Sequence, residues 1–435
     1  MPKYIVVGAG VSGEGVVKTL NTSGETPFLY TDDNVALNGA TKLNKITKEH
    51  AGLTAIVSPG IKPRHKIYRL AKKFNIKTTC ELEVFGSALK GTTIGVTGTN
   101  GKTTTTMLIT ALLTGAGKNA KALGNIGASI ALASLDTQDA DINVIEESSF
   151  MLEKIENFKQ NISVFLNFSP DHLNYHKNLS EYFSAKCKMF KNQNEADTAV
   201  LNYDAPSVCA LASVIKPRVV FFSTQTELEN GAYVKDGIIY YSGEEVLSTQ
   251  NIKLKGEHNL QNILASVAVA KLCGVENEVI SEVIKNFEPL EHRLEKITTS
   301  EGLVFYNSSK ATNIASALTD IKAVPEPNIV LFGGSHKGEN YNELFKNNLP
   351  NTKVVICFGA SGKKIYGAAN KCKTTTLEGV QILKVQKFAE AVGIAANLAK
   401  AKSLSVVLAP ACASFDEFKN YKERGDEFKK IAIRF

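Results

Sequence analysis

The sequence lacks several features that would assign it to a class at once. Its seven cysteines (positions 80, 187, 209, 273, 357, 372 and 412) form no C-x-x-C pair, which favours reduced thiols over disulfides or a structural zinc site. No apolar run approaches the length of a membrane span, and no dense block of lysine and arginine indicates nucleic acid. We therefore expect a soluble, cytoplasmic protein with neither membrane nor nucleic-acid partners.

Length and composition are those of an ordinary globular protein. The 435 residues exceed one typical core and suggest two to four domains. Hydrophobic residues make up 43% and charged residues 21%. The formal charge of +7 fits small anionic substrates. Because Tyr4–Val7 is already a strand that enters a glycine loop, we expect no signal peptide.

The chain divides into three blocks, 1–90, 91–288 and 289–435, each with a strand near its start. In the first and third blocks, predicted strands alternate with helices, which implies parallel, doubly wound α/β sheets. The middle block has apolar strands at Ile142–Ile145 and Ile162–Leu166. A more antiparallel stretch follows from Val219 to Tyr241, with a turn at Lys235-Asp236-Gly237. The pattern predicts an α/β protein with three domains.

A glycine-rich segment, residues 98–104, carries the clearest chemical signal. It follows the apolar run Thr93–Thr97 and precedes a predicted helix. A strand, a glycine turn and a helix place backbone N–H groups and the positive helix end around a phosphate. Lys102 would contact the outer phosphates and the hydroxyl of Thr103 would bind Mg²⁺. The spacing differs from the standard phosphate loop, and the alternative is a glycine turn with an incidental lysine. We predict an ATP site.

A second glycine motif, G-x-G-x-x-G at residues 8–13, lies between the first strand and the first helix. Asp32 ends the second predicted strand, where a ribose-binding carboxylate is expected. Alone, this pattern would indicate NAD. One chain rarely needs two complete nucleotide-cofactor sites, so a diphosphate-bearing substrate accounts better for both motifs. A purely structural glycine turn is the alternative.

Three residues of the middle block are candidate metal ligands or catalytic groups. Glu146 ends a strand of the predicted sheet, where a carboxylate often anchors Mg²⁺; the alternative is a solvated loop acid. His172 follows the next strand and could bind metal or cap a helix. On the helix predicted over 180–191, Lys186 lies in the middle of an apolar stripe. Lysine is rarely buried unpaired, and the alternative is that its amine extends to solvent.

Three polar turns follow three predicted strands of the last block, at Tyr306–Asn313, Gly333–Gly338 and Ala409–Phe415. The loops at the carboxyl ends of strands in an open α/β sheet converge on one crevice. Lys310 and Lys337 would suit a carboxylate ligand there. The third block therefore predicts a site for an anionic small molecule.

Taken together, these segments resemble the Mur ligases of peptidoglycan synthesis over essentially the whole chain. Further matching motifs are Ser58-Pro59-Gly60, Gly124–Gly127, Glu146–Glu153, Gly256–Asn262, Glu291-His292-Arg293 and the closing run 411–428. The resemblance implies an N-terminal Rossmann-like domain for the UDP substrate and a central P-loop ATPase-like domain for ATP and Mg²⁺. It also implies a C-terminal Rossmann-like domain for the amino acid, with the three blocks as the domains.

The resemblance is nearest to the member that adds D-glutamate to UDP-N-acetylmuramoyl-L-alanine, and it implies site residues. The UDP substrate would be bound by Gly10, Val11, Ser12, Asp32, Ser58, Gly60, Asn125 and His172. ATP would be bound by Gly98, Thr99, Asn100, Gly101, Lys102, Thr103, Thr104, Asn259, Asn262 and Arg293. Mg²⁺ would be bound by Thr103, Glu146, His172 and Lys186. D-Glutamate would be bound by Lys310, Thr312, Lys337, Ser414, Phe415 and Tyr421.

The implied reaction is ATP-dependent amide-bond formation through an acyl phosphate, with Lys102, His172, Lys186 and Arg293 as catalytic residues. A CO₂-derived carbamate on Lys186 and a monomeric enzyme are also implied. The chain departs from the family pattern at a few positions. Ser308 stands in place of an acid that would contact ribose. The other departures are Glu147, Met151 and His336, and they affect the expected contacts to the substrate carboxylate and to the amino acid.

Three alternatives to this function remain. One is a neighbouring Mur ligase that adds a different amino acid. The second is folylpolyglutamate synthetase, which shares the central and last domains; the N-terminal glycine motif argues against it. The third is a nucleotide-binding paralogue in which these departures have abolished catalysis.

Overall fold

The computed structural model describes residues 2–32, 35–172, 175–336, 338–349 and 351–435. Three β-sheets, each largely parallel, alternate with helices along the chain. The chain forms two compact units. The first consists of Met1–Phe168, Tyr175–Ile252 and Asn259–Phe287, and the second of Ser169–Asn174, Lys253–His258 and Glu288–Phe435. Within the described ranges, no helix is both long and apolar enough to cross a membrane.

The first sheet has five parallel strands in the order β3-β2-β1-β4-β5. They are β1 (Tyr4–Val7), β2 (Phe28–Tyr30), β3 (Thr41–Lys42), β4 (Thr54–Val57) and β5 (Lys77–Thr79). Its helices are α1 (Val11–Thr22), α2 (Lys66–Phe74) and α3 (Glu81–Phe85). The predicted strand, glycine turn and helix are confirmed. The turn is tight, because a Cβ atom at Gly13 would lie 2.1 Å from the carbonyl oxygen of Gly8.

The second sheet has nine strands in the order β14-β13-β12-β11-β10-β9-β6-β8-β7. They are β6 (Thr92–Thr97), β7 (Ala120–Gly124), β8 (Ile142–Glu146), β9 (Ile162–Phe165), β10 (Thr198–Asn202), β11 (Arg218–Ser223), β12 (Gly231–Lys235), β13 (Ile238–Tyr241) and β14 (Glu244–Ser248). The α-helices between β6 and the third sheet are α4 (Lys102–Gly115), α5 (Ile130–Ala133), α6 (Ser149–Leu152), α7 (Leu179–Cys187), α8 (Pro206–Cys209), α9 (Glu257–Leu272) and α10 (Asn277–Asn286).

The prediction of an antiparallel stretch is only partly right. Strand β11 pairs in parallel with both β10 and β12, and antiparallel pairing begins only at the β12–β13 hairpin. The turn at Lys235-Asp236-Gly237 fixes that hairpin because Asp236 and Gly237 both have positive φ. Seven residues, 224–230, separate β11 from β12. Apolar alternation is the same in both pairing modes, so the sequence could not distinguish them.

The third sheet has six strands in the order β15-β16-β20-β17-β18-β19, and only its edge strand β15 is antiparallel. They are β15 (Glu295–Thr298), β16 (Val304–Asn307), β17 (Asn328–Gly333), β18 (Thr352–Phe358), β19 (Gln381–Lys384) and β20 (Ser405–Leu408). Its helices are α11 (Ile314–Lys322), α12 (Gly362–Lys371), α13 (Phe388–Lys402) and α14 (Tyr421–Ala432). Because β16, β20 and β17 are neighbours, the turns that follow them lie side by side.

The short 3₁₀ helices are at Lys48–His50, Gly86–Ala88, Lys188–Phe190, Ala210–Ser213 and Tyr341–Phe345. The predicted helix over 180–191 is therefore α7 followed by a 3₁₀ turn. Buried strands are almost continuously apolar, as expected for parallel sheets covered on both faces. One hydrophobic cluster contains residues of both the first and the second sheet, such as Val6 and Ile145. The predicted α/β architecture with three parallel-rich sheets is confirmed.

Candidate active site

The predicted phosphate loop joins β6 to α4. Gly98 has φ +156° and Gly101 has φ +85°, and the latter is a left-handed conformation that glycine adopts without strain. A Cβ atom at Gly101 would also lie 2.2 Å from Oδ1 of Asn262. Helix α4 begins at Lys102, so the N–H groups of its first turn and the positive end of its dipole lie at the loop. This backbone can bind phosphate.

Asn167, which the sequence analysis missed, holds this loop from the neighbouring strand. Its Oδ1 accepts a hydrogen bond from the backbone N–H of Asn100 at 2.9 Å, and its Nδ2 donates to the carbonyl of Asn100 at 3.1 Å. The N–H of Thr99 donates to the carbonyl of Asn167 at 3.0 Å. Strand β9, which precedes Asn167, pairs with β6. A polar residue directly after an apolar strand was the only signal in the sequence.

Two lysine amines lie at the phosphate loop. Nζ of Lys102 donates to the carbonyls of Gly98 at 3.0 Å and Thr99 at 2.8 Å. Nζ of Lys186 donates to Gly98 O at 2.7 Å and lies 3.3 Å from Oγ1 of Thr97. Only 1% of Lys186 is exposed. Its amine is therefore buried at the loop and does not extend to solvent.

Asn262 packs beneath the loop. It is buried, and its Oδ1 accepts a hydrogen bond from Oγ1 of Thr105 at 3.2 Å. Its Nδ2 donates to Oδ1 of Asn259 at 3.3 Å. Thr104, in the first turn of α4, is buried as well, whereas Thr103 is partly exposed. Both asparagines lie in the first two turns of α9, which places these two predicted ATP contacts close to the phosphate loop.

Glu146 is the best candidate for a divalent-cation ligand in this part of the chain. It is paired with Val96 of β6, two residues before Gly98. Its Oε1 accepts a hydrogen bond from Nδ2 of Asn125 at 2.7 Å. Its Oε2 is buried without a hydrogen-bond partner among the described atoms. A buried carboxylate oxygen without a donor fits a hard cation, and it excludes the alternative of a solvated loop acid.

No group of three or more His, Cys, Asp and Glu side chains in the described ranges could hold a metal ion. Mg²⁺ typically takes one or two carboxylates and keeps water and substrate phosphate oxygens as its other ligands. The single carboxylate of Glu146, with the Thr103 hydroxyl on α4, therefore fits a nucleotide-bound Mg²⁺. It does not fit an all-protein metal site.

Glu147, one of the departures from the family pattern, lies in the interior. It is fully buried, and burial raises the pKa of its carboxyl group to about 8, although the nearby Lys186 charge lowers it. A Cβ atom at Gly95 would lie 2.8 Å from this carboxyl group, so glycine at that position leaves the space for it. Nε2 of Gln160 is 3.4 Å from Oε2. Glu147 therefore lies in the core beside Lys186.

Six of the predicted UDP-site residues lie at the carboxyl ends of β1, β2 and β4, the edge where open α/β sheets bind ligands: Gly10, Val11, Ser12, Asp32, Ser58 and Gly60. Asn125 instead follows β7 of the second sheet, and His172 belongs to the second unit. Val11 is 75% exposed at the start of α1, an unusual position for a valine. The Ser12 hydroxyl donates to the buried carboxylate of Glu81. No described atom lies within 4 Å of a Cβ atom added at Gly10 or Gly60, so the space beside both is open.

Basic residues missed in the sequence contact Asp32. Nε2 of His65 is 2.8 Å from Asp32 Oδ2, and Nζ of Lys66 is 2.7 Å from Oδ1. These hydrogen bonds, from Lys66 first and then His65, lower the pKa of Asp32. The turn after β4 packs against the glycine motif, since a Cβ atom added at Gly8 would lie 3.0 Å from Oγ of Ser58. The edge thus combines a carboxylate with two basic groups.

The three polar turns of the third sheet converge, as predicted. Nζ of Lys310 lies 3.9 Å from the ring centroid of Tyr421, a cation–π contact. Ser414 is buried, whereas the neighbouring Phe415 is 71% exposed. The N–H of Thr312 donates to the carbonyl of Lys310 at 2.8 Å. Lys337 lies outside the described residues.

Two further predicted residues belong to the second unit. His172 has φ +56°, and its Nε2 is 3.7 Å from Oδ2 of Asp171. That carboxylate also accepts a hydrogen bond from Nδ2 of Asn313 at 2.9 Å. Arg293 lies on a turn between His292, with φ +63°, and Leu294, with φ +50°. The metal and catalytic roles of His172 and the ATP contact of Arg293 stay predictions.

Comparison with known proteins assigns the family. The model of the Mur ligase middle domain matches residues 96–270. These residues include the phosphate loop, Glu146, Lys186 and Asn262. With the full-length relative described below, this match shows that the chain belongs to the Mur ligase family.

Within this family, the chain resembles the ligases that are named for D-glutamate. It is 37% identical over 444 residues to the UDP-N-acetylmuramoylalanine--D-glutamate ligase of Caldanaerobacter subterraneus subsp. tengcongensis, covering 99% of this chain and 98% of that protein. It is 39% identical over 373 residues to the ligase of the same name from Bacillus cereus (strain Q1), covering 86% and 81%.

Solved structures of other Mur ligases share the fold. UDP-N-acetylmuramate-alanine ligase MurC from Thermotoga maritima superposes with a TM-score of 0.63 at 18% identity, covering 99% of both chains. MurF ligase from the same organism, solved in complex with ADP, has a TM-score of 0.59 at 16% identity, covering 100% of this chain and 94% of that chain. At these identities the likeness shows the shared α/β fold with its three sheets and no finer assignment.

Proposed function

We propose that this protein joins D-glutamate to UDP-N-acetylmuramoyl-L-alanine with ATP, in cytoplasmic synthesis of peptidoglycan precursors. The observation that most strongly supports this proposal is the 37% identity, over 99% of the chain, to a ligase named for that reaction. The phosphate loop with two lysine amines and the buried Glu146 supports the ATP-dependent part of the proposal. The protein would act as a monomer.

Each domain would bind one substrate. Residues 1–90 would bind the UDP group at the edge that carries Gly10, Ser12 and Asp32. Residues 91–288 would bind ATP through the loop 98–104. Residues 289–435 would bind D-glutamate at the three turns of the third sheet, through the candidate residues Lys310, Thr312, Lys337, Ser414, Phe415 and Tyr421.

The chemistry requires activation of a carboxylate, which is a poor electrophile. Transfer of the γ-phosphoryl group of ATP to the carboxylate of the UDP substrate gives an acyl phosphate, and the amine of D-glutamate then displaces the phosphate. Lys102 and Arg293 would neutralise charge that develops on the transferred group. Mg²⁺, held by Glu146 and Thr103 with the proposed contributions of His172 and Lys186, would supply further charge neutralisation.

A carbamate on Lys186 is part of this proposal. The amine is buried near the carboxyl group of Glu147, and a buried ammonium loses hydration. Loss of one proton from the ammonium group gives the neutral amine, and reaction of that amine with CO₂ would form the carbamate and release a second proton, so that the side chain changes from a charge of +1 to −1. The resulting oxygen atoms would be ligands of the type that Mg²⁺ prefers.

Phosphate release tests the function directly. Purified protein would be incubated with ATP, UDP-N-acetylmuramoyl-L-alanine and one amino acid at a time. We expect phosphate and ligated product only with D-glutamate. Ligation of another amino acid would indicate a neighbouring Mur ligase, and nucleotide binding without any phosphate release would indicate a catalytically inactive paralogue.

A further inference from the structure

Glu81, the first residue of α3, is a buried acid that joins two other helices of the first unit. It is 6% exposed. Its Oε2 accepts a hydrogen bond from the hydroxyl group of Ser12. Its Oε1 accepts hydrogen bonds from the hydroxyl group of Ser129 at 2.5 Å and from the backbone N–H of Ala131 at 2.9 Å. Three donors thus satisfy a carboxylate that burial removes from water.

These donors come from two separate parts of the proposed UDP site. Ser12 lies in the first turn of α1, within the glycine motif. Ser129 and Ala131 lie at the start of α5, shortly after Asn125. Ser12 and Asn125 are both predicted contacts of the UDP substrate, but they follow strands of different sheets, β1 and β7. Glu81 is therefore placed to set the distance between these two parts.

Helices α1 and α5 are in close contact beside Glu81. A Cβ atom added at Gly15 would lie 2.1 Å from Oγ of Ser129, so the approach of the two helices needs glycine on α1. Oγ of Ser129 also accepts a hydrogen bond from the N–H of Leu132 at 3.4 Å, which caps α5. A hydroxyl group can accept one bond and donate another. The Ser129 hydroxyl is therefore held from both sides.

The segment that carries Asn125 is fixed to the second sheet. Its backbone N–H donates to the carbonyl of Glu146 at 3.0 Å, and its Nδ2 donates to Oε1 of Glu146 at 2.7 Å. The N–H of Ala128 donates to the carbonyl of Ala122, on β7, at 3.3 Å. Through Glu81 and this segment, the glycine motif of the first sheet is connected to the proposed Mg²⁺ ligand.

The hydrogen bond to Glu81 also limits what the side chain of Ser12 can do. A hydroxyl group has one proton, and that of Ser12 is donated to the carboxylate. The same proton cannot be donated to a phosphate oxygen. A diphosphate at the glycine motif would therefore be bound by the backbone N–H groups at the start of α1, and the side chain of Ser12 would hold those groups in place.

We propose that Glu81 is a positioning residue for the UDP substrate. It fixes the start of α1 through Ser12 and the Asn125 segment through Ser129, and so holds the two parts of the site at the separation that the substrate needs. This proposal rests on the function proposed above, in which both parts bind UDP-N-acetylmuramoyl-L-alanine.

Calorimetric binding of UDP-N-acetylmuramoyl-L-alanine to Glu81→Ala and Ser129→Ala tests the proposal. Glu81→Ala removes the whole connection, and we expect the Kd for this substrate to rise about tenfold or more. Ser129→Ala removes one of the bonds and changes no predicted substrate contact, and we expect a rise of about threefold or more. The Kd for ATP should stay within about twofold of wild type in both variants.

Glu83→Ala is the matched control on the same short helix. The carboxylate of Glu83 accepts hydrogen bonds from the backbone N–H groups of residues 156–158, at 2.9 to 3.1 Å. Its loss should lower the melting temperature, because these donors lose their acceptor. The Kd for the UDP substrate should stay within about twofold of wild type, since Glu83 bonds to a different segment.

An unchanged Kd for the UDP substrate in folded Glu81→Ala would overturn the proposal. A rise of the same size in Glu83→Ala would overturn it as well, because Glu81 would then only stabilise the fold. If Glu81→Ala does not fold, Ser129→Ala decides the question by its Kd. Wild-type protein assayed alongside separates the two proposals, because failure of the proposed function would appear as no ligation of D-glutamate by wild type.

Discussion

The hydroxyl group of Ser308 donates a hydrogen bond to the buried carboxylate of Asp320, and it accepts one from the N–H of Leu294 at 3.3 Å. Leu294 and His292 flank Arg293, and both have positive φ, a conformation that costs about 1–2 kcal/mol per residue. The carbonyl of His292 accepts a hydrogen bond from the N–H of Lys310 at 3.1 Å. The turn after β16 therefore holds both sides of the segment that presents Arg293.

We expect Ser308→Ala to weaken this turn. The N–H of Leu294 and the carboxylate of Asp320 would each lose a partner, which costs about 1–3 kcal/mol for buried groups. If Arg293 contacts ATP, the ratio kcat/KM for ATP should fall about tenfold as the turn relaxes. Ser300→Ala, at an exposed position, is the control. Wild-type kinetics and thermal stability in Ser308→Ala would contradict the account.

Asp320 predicts a specific pH dependence of stability. Burial raises its pKa to about 6, while the hydrogen bond from Ser308 and the charge of Arg293 lower it. Because the folded pKa lies above the unfolded one, the native state binds more protons between about pH 4 and 6, and stability falls as pH rises through that window. The loss is complete above about pH 6 and is on the order of 3 kcal/mol.

Asp320→Asn removes that titration. Thermal or urea unfolding of wild type and variant between pH 4 and 7 should show the wild type losing stability relative to the variant as pH rises. Two parallel curves would show that Asp320 does not titrate in this range. Ser308→Ala should move the window to higher pH, because it removes a hydrogen bond that favours the ionised carboxylate.

Much of the active site could be predicted because its signals are local. The phosphate loop consists of consecutive residues, and its strand, turn and helix follow from glycine spacing and apolar patterning alone. Asn167 was missed because it reaches Asn100 only through the pairing of β9 with β6. Asp320 was missed for a similar reason. The sequence shows that serine replaces the family's acid at position 308. Only the packing of α11 shows that Asp320, a different acid, accepts a hydrogen bond from Ser308.

Gly425 should tolerate no side chain. A Cβ atom there would lie 2.2 Å from Nδ1 of His292, which is buried and whose Nδ1 lies 3.0 Å from Nδ2 of Asn307. Gly425→Ala should cost about 1–3 kcal/mol, as overpacking of an interior does. Gly367→Ala is the matched control within α12, where a Cβ meets no described atom within 4 Å. Gly367→Ala should stabilise the folded protein by about 0.5–1 kcal/mol. Equal melting temperatures of Gly425→Ala and Gly367→Ala would contradict the prediction.

Lys102→Ala should abolish ligation. The transferred phosphoryl group would lose a main counter-ion, and a loss of at least about 10³-fold in kcat is expected for such an electrostatic contact. Nucleotide binding should weaken far less, because the backbone N–H groups of the loop remain. Lys90→Ala, an exposed lysine just before β6, is the control. Turnover near that of wild type would refute the assignment of the ATP site.

Lys186→Ala separates a structural lysine from a carbamylated one. The buried amine donates to the carbonyl of Gly98, so its removal should lower activity in either case. Only the carbamate predicts partial recovery with a short carboxylic acid, because the acid would occupy the vacated anion position. Carbon-13 NMR of wild type equilibrated with labelled bicarbonate should show a carbamate signal that the variant lacks. Absence of that signal in active wild-type protein would leave Lys186 as a plain ammonium at the loop, and full activity of Lys186→Ala would exclude an essential role.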